Sequence, residues 1–298
     1  MEQGFQNDSI YISNGAQSSV KAAYPDIKSL CRIFGILLVY TIGIGIVGAI
    51  ITTLAGDRIS PAIRSLLGLL SYTISLLLTI RYAAKSSGKW QHRPVNLSFN
   101  SIQPVLIPVL IICTLGLIVG MERLATLIPM PKVVEKMFED LFKKDVFSII
   151  TIVIAAPLLE EILCRGIILK GLLQRYPARK AIIISALFFG LVHMNPWQAL
   201  PAFCIGLFMG WIFYKTNSII PGIIVHATNN GMAALFLFFP GDKQDLLSLV
   251  GMPYYIILCV SAALLVALSC LYIHKKARAL TPADKEISAV QPLSADLR

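Results

Sequence analysis

At 298 residues with 14% charged side chains, 56% hydrophobic ones and a mean hydropathy of +0.73, the chain is too apolar for an ordinary soluble domain. Its formal net charge of +10 comes from basic residues scattered over short connecting segments, not gathered on one face. That pattern excludes nucleic-acid binding and points to membrane topology with anionic-lipid contact.

Lys, Arg, Asp and Glu are absent from 33–56, 94–121, 181–214, 216–241 and 246–274. Each run exceeds the roughly 20 residues a helix needs to cross hydrocarbon. The shorter apolar runs 65–80 and 146–159 also become spanning helices if Arg64 and Arg81 snorkel and the second continues to about Gln174. The long run 181–214 breaks at Asn195-Pro196, because the residue before a proline is pushed out of helical geometry. The spacing therefore predicts an all-α polytopic membrane protein, a bundle of about eight transmembrane helices over 33–55, 63–81, 104–121, 146–174, 180–195, 198–214, 218–239 and 253–274.

Taken in order, residues 1–30 read as a polar cytoplasmic N-terminal segment without a cleavable signal, so the first helix serves as the insertion signal. Residues 31–145 hold the N-terminal helices and, in PKVVEKMFEDLFKKDVF, a face of Val134, Met137, Phe138, Leu141 and Phe142 opposite Lys and Glu. This is the pattern of a helix lying in the outer interface. Residues 146–240 form the core that carries the candidate chemistry, 241–278 the last transmembrane helix, and 279–298 a disordered cytoplasmic tail. With both termini cytoplasmic, the inner loops receive most of the Lys and Arg, which is the arrangement the positive-inside rule favours, most simply in a plasma membrane. Gly206 and Gly210 make a small-xxx-small pair that lets a neighbouring helix approach. The six cysteines lie in or beside apolar spans without C-x-x-C spacing and read as small core residues.

The chemistry lies in TIVIAAPLLEEILCRGIILKGLL, where Glu160 and Glu161 sit side by side in an apolar helix. A carboxylate there is costly unless paired, neutralised or used. Residues four apart share a face, so Glu161 can pair with Arg165, whereas Glu160 points about 100° away. Desolvation without an adjacent cation makes a carboxylate a stronger base, so Glu160 is the candidate general base and Glu161 the structural acid. Counted at about 1.5 Å per residue from the nearest inner basic residue, Glu160, His193 and His226 lie about 22, 20 and 16 Å deep. A lone histidine on an apolar helix is ordinarily a core residue, but three such groups at one depth on three helices make a site. Phe189 lies one turn before His193, and Asn230 one turn after His226. Asn230 and His226 can thus donate two hydrogen bonds to a developing oxyanion, while Asn229 points elsewhere.

Glu160-Glu161-x-x-x-Arg165, Phe189-x-x-x-His193 and His226-x-x-x-Asn230, in that order on successive helices, resemble the motifs of the CAAX prenyl protease and bacteriocin-processing family of intramembrane proteases, also called the abortive-infection family. The likeness covers roughly 146–240. It implies an eight-helix bundle in which Glu160 and His193 activate water while His226 and Asn230 stabilise the oxyanion. It also implies cleavage of membrane-associated proteins or peptides: prenylated CAAX termini in eukaryotic members, with bacterial relatives linked to bacteriocin maturation, self-immunity or scaffolding. Glu160, His193 and His226 could instead hold zinc with water in the open position, but Glu161 would then face the wrong way to act as base, so metal-free glutamate catalysis is favoured. Two other readings remain: a proton-coupled transporter, disfavoured because no second half repeats the motif-bearing one, and a catalytically idle scaffold of the same fold.

Overall fold

The computed structural model describes residues 24–91, 95–125, 128–134, 136, 144–236, 238 and 246–277. The amphipathic segment expected around Met137, Phe138, Leu141 and Phe142, most of the polar N-terminal segment and the tail 279–298 lie outside them. The described residues form helices α1 (Ile27–Ala55), α2 (Pro61–Gln91), α3 (Leu106–Ala125), α4 (Val146–Leu173), α5 (Ala178–Leu191), α6 (Pro196–Thr216), α7 (Ile220–Phe236), the one-turn α8 (Leu246–Val250) and α9 (Met252–Ala277). Each of the eight apolar segments is thus helical, and the protein is an all-α integral membrane protein. By length and apolarity, α1, α2, α3, α4, α6 and α9 each suffice to cross a bilayer. Lipid-facing positions such as Val39, Leu54, Ile257 and Val260 are exposed, since in hydrocarbon an apolar surface need not be buried.

The elements pack as α1 on α2, α3 on α9 and α5 on α6, with α4 and α7 between them. The segment 95–100 is tied to the end of α4 and to the connection between α6 and α7. Lys170 donates to Asn96 O and Ser98 Oγ, and Asn100 donates to Asn217 O. The Gly206 and Gly210 pair works as its spacing suggests: a Cβ added at Gly206 would sit 3.3 Å from the Ala186 Cα, and one at Gly210 3.0 Å from Ile182 Cγ2, both on α5.

Among the boundaries that differ from the sequence reading, two have a clear local cause. Helix α2 runs to Gln91, well past Arg81, because Ala83 and Ser87, four apart on one face, are buried against the bundle and carry the helix beyond the apolar run. Helix α5 ends at Leu191, four residues early, because Asn195 takes extended geometry to cap α6, accepting from Gln198 N at 2.8 Å. At 14 residues α5 is about 21 Å long, shorter than the hydrocarbon. His193 lies two residues past its end, in the turn that leads to α6.

Helix α4 is not uniform. Thr151–Ala155 and Ile162–Leu169 are π-helical and flank the α-helical turn Ala156–Glu161. Pro157 has no N–H to donate to the carbonyl four residues back, so the ladder must rearrange there. Such π turns recur at functional sites, and these two bracket both glutamates.

Candidate active site

The two glutamates face different surroundings. Glu161 is fully buried and accepts from Arg165 Nη1 at 2.5 Å. Arg165 Nη2 donates to Gly206 O at 3.1 Å, and the guanidinium lies over the Phe189 ring, 4.6 Å from its centroid. Phe189 also meets the His193 and His226 rings edge-on at 5.4 and 5.3 Å. Gly222 on α7 presses against the same carboxylate: a Cβ there would collide with Glu161 Oε2. His226 is buried on this side, its Nδ1 3.5 Å from Glu161 Oε1.

Glu160 is half-buried and lines a cavity of about 350 Å³. The wall brings together Tyr72 from α2, Thr151 and Ile152 from α4, His193, Gln198 from α6 and Asn230 from α7. Tyr72 donates to Glu160 Oε1 at 2.5 Å, while Oε2 is buried with no hydrogen-bond partner among the described residues. His193 Nδ1 lies 2.9 Å from Phe189 O. A carbonyl only accepts, so this bond requires the proton on Nδ1 and leaves the Nε2 lone pair available in the neutral ring. Phe189 O is one of the last carbonyls of α5, which the helix itself leaves unsatisfied. Asn195 steadies the turn by donating to His193 O at 2.8 Å.

Asn230 Nδ2 donates to Ile152 O, within the first π turn, at 2.9 Å. Asn229, expected to serve elsewhere, instead donates to Asn230 Oδ1 at 3.2 Å, and the two bonds together orient the Asn230 amide. The cavity thus collects Glu160, His193 and Asn230, whereas His226, one turn from Asn230, is turned to Glu161 and is not among the lining residues. The fit of a metal can be tested on the donors themselves: among the described residues no three His, Cys, Asp or Glu side chains converge, so Glu160, His193 and His226 do not form a ligand set.

Among the lining residues that escaped the sequence reading are the polar Tyr72, Thr151 and Gln198. Gln198 is announced by the N-P-x-Q run, in which Asn195 caps onto position 198. Tyr72 had only a weak signal, a phenol inside the apolar run 65–80.

A bundle of apolar helices that gathers an acid, a histidine and an asparagine around one cavity belongs to the class of integral membrane proteins built around a polar site. Comparison with known proteins narrows this. Residues 142–232, which run from just before α4 into α7, match the family model described as type II CAAX prenyl endopeptidase Rce1-like. The UPF0177 protein YxdF of Lactococcus lactis subsp. lactis (strain IL1403) is 33% identical over 78 residues, 26% of this chain and 42% of that protein. The chain thus matches less than half the length of this relative. No solved structure matches.

Proposed function

We propose that the protein is an intramembrane endopeptidase that hydrolyses membrane-associated or CAAX-type proteins or peptides without a metal. The observation that carries this reading is the cavity holding Glu160, His193 and Asn230, set within the Rce1-like segment. Water placed between Glu160 and His193 loses a proton to Glu160 as its oxygen attacks the scissile carbonyl, and the same proton passes to the leaving nitrogen. Nε2 of His193 accepts the second hydrogen bond of that water. Asn230 exchanges its bond to Ile152 O for one to the developing oxyanion, and His226, one turn away, supplies the second donor once its ring turns from Glu161 toward the cavity. Phe189 and Arg165 support the site through their packing. The partners are a peptide substrate and the bilayer, in a plasma membrane with both termini and the 175–180 segment cytoplasmic.

Comparing C-terminal and internal cleavage products in cells carrying the wild-type or the Glu160→Gln protein tests activity and substrate together; identical product sets would refute the reading. Labelling a cysteine introduced at position 178 tests orientation, and an external label there would reverse it. Zinc content of purified protein tests the metal-free route. Stoichiometric zinc that vanishes in His226→Ala would make this a metalloprotease.

A further inference from the structure

We propose that Tyr72 is a positioning residue of this site: its hydroxyl holds Glu160 in one orientation and leaves Oε2 as the oxygen free to take a proton. The inference rests on the endopeptidase reading and extends it, because Tyr72 lies on α2, outside the Rce1-like segment 142–232.

Glu160 has few sources of restraint. Arg165, the nearest cation along α4, is committed to Glu161 and Gly206 O, and the Nδ1 proton of His193 to Phe189 O. The Tyr72 hydroxyl, at 2.5 Å from Oε1, is the hydrogen bond Glu160 has among the described residues, and Oε2 is left buried and unpartnered. A carboxylate pinned at one oxygen loses its rotational freedom and presents the other to whatever enters.

The second observation is where the pair sits. Beside the polar cavity lies a smaller one, about 110 Å³, walled by apolar side chains including Leu37, Leu76, Leu163 and Phe188. Tyr72 and Glu160 are the two residues that line both cavities. The phenol and carboxylate together form the partition between a polar chamber and an apolar one, so losing the bond would let the carboxylate swing between two environments. Helix α2 is fixed for this task by a further bond two turns away, from Ser65 Oγ to Asp145 Oδ2 at 2.8 Å, at the start of α4.

The test uses the full-length protein in proteoliposomes and a fluorogenic peptide built on the cleavage site that the Glu160→Gln comparison identifies. Tyr72→Phe keeps the ring, and with it the partition, and removes the hydroxyl alone. It should lower kcat roughly 10- to 100-fold with KM changed less than about twofold, and in a Glu160→Gln background it should cause no further loss. Wild-type kcat, or a change confined to KM, would overturn the proposal while leaving the endopeptidase reading intact. A melting cycle on Tyr72→Phe, Glu160→Ala and the double variant reads the contact without any activity. The two shifts should fall short of additivity by about 2–4 °C, and additive shifts would overturn the proposal. If wild-type and Glu160→Gln cells give the same products, the endopeptidase reading falls, and the melting cycle alone decides whether Tyr72 holds Glu160.

Discussion

Glu160 and Glu161 are adjacent on one helix, yet the two sides of α4 they occupy are built on opposite terms. On the Glu161 side everything is closed: Arg165 is fully buried, its guanidinium is shared between a carboxylate and a backbone carbonyl, Phe189 covers it, and Gly222 leaves no room for a methyl group. On the Glu160 side there is space and a phenol as the donor in place of a cation. A rotation of about 100° per residue is enough to put one carboxylate into a sealed ion pair and the next into a chamber. The difference teaches that charge in an apolar helix can serve support and chemistry at once, provided the supporting charge has its counter-charge.

The comparison breaks most simply if the two glutamates prove interchangeable. Glu160→Gln should lower cleavage by roughly 10²–10⁴-fold with an unchanged melting temperature, because it removes a base and keeps the shape. Glu161→Gln should instead cost about 3–5 kcal/mol, seen as loss of folded protein in detergent, since Arg165 would keep its charge in a low-dielectric site without a counter-charge. Equal effects of both variants on folding and turnover would end the division of labour.

On the open side, Asn230→Ala should reduce kcat by roughly 10²–10³-fold with KM nearly unchanged, as expected for a donor that acts when charge develops on the carbonyl oxygen. A rise in KM at constant kcat would make it a binding residue. On the closed side, Gly222→Ala should destabilise by about 1–3 kcal/mol, because the added methyl group must displace Glu161 or move α7. Wild-type thermal stability of that variant would show that the closed side has slack.

The smallest effect is expected where α4 begins, outside the apolar span. Burial alone would raise the Asp145 carboxyl, but hydrogen bonds from the Ser148 and Ser65 hydroxyls and from the Ser148 and Phe147 N–H groups outweigh it and hold it below the usual carboxylate range. Asp145→Ala should cost about 1 kcal/mol as a lost helix cap. Because the folded form holds its proton less tightly, that contribution is complete above about pH 4 and disappears as the pH falls further. A melting series from pH 7 to pH 3 should therefore show the variant converging on the wild type at the acid end.

Much of this molecule can be read without coordinates. Uncharged runs longer than a bilayer is thick leave a helix as the economical structure for each, since backbone groups in hydrocarbon must bond within their own segment. The break at Asn195-Pro196 follows from local sterics, and the Glu161 to Arg165 spacing from helical period. Local chemistry was less complete where tertiary packing intervened: α2 continues past its apolar run because Ala83 and Ser87 find neighbours, and α5 stops early because capping α6 outweighs one more turn of α5. Composition and periodicity thus determined the class of protein, the helical segments and the candidate polar residues, because these depend on each segment and its solvent. Only the tertiary structure decided that Tyr72, 88 positions from Glu160, would be its hydrogen-bond donor and that His226 would turn to Glu161. Contacts between helices depend on how they rotate and approach, and no single helix carries that information.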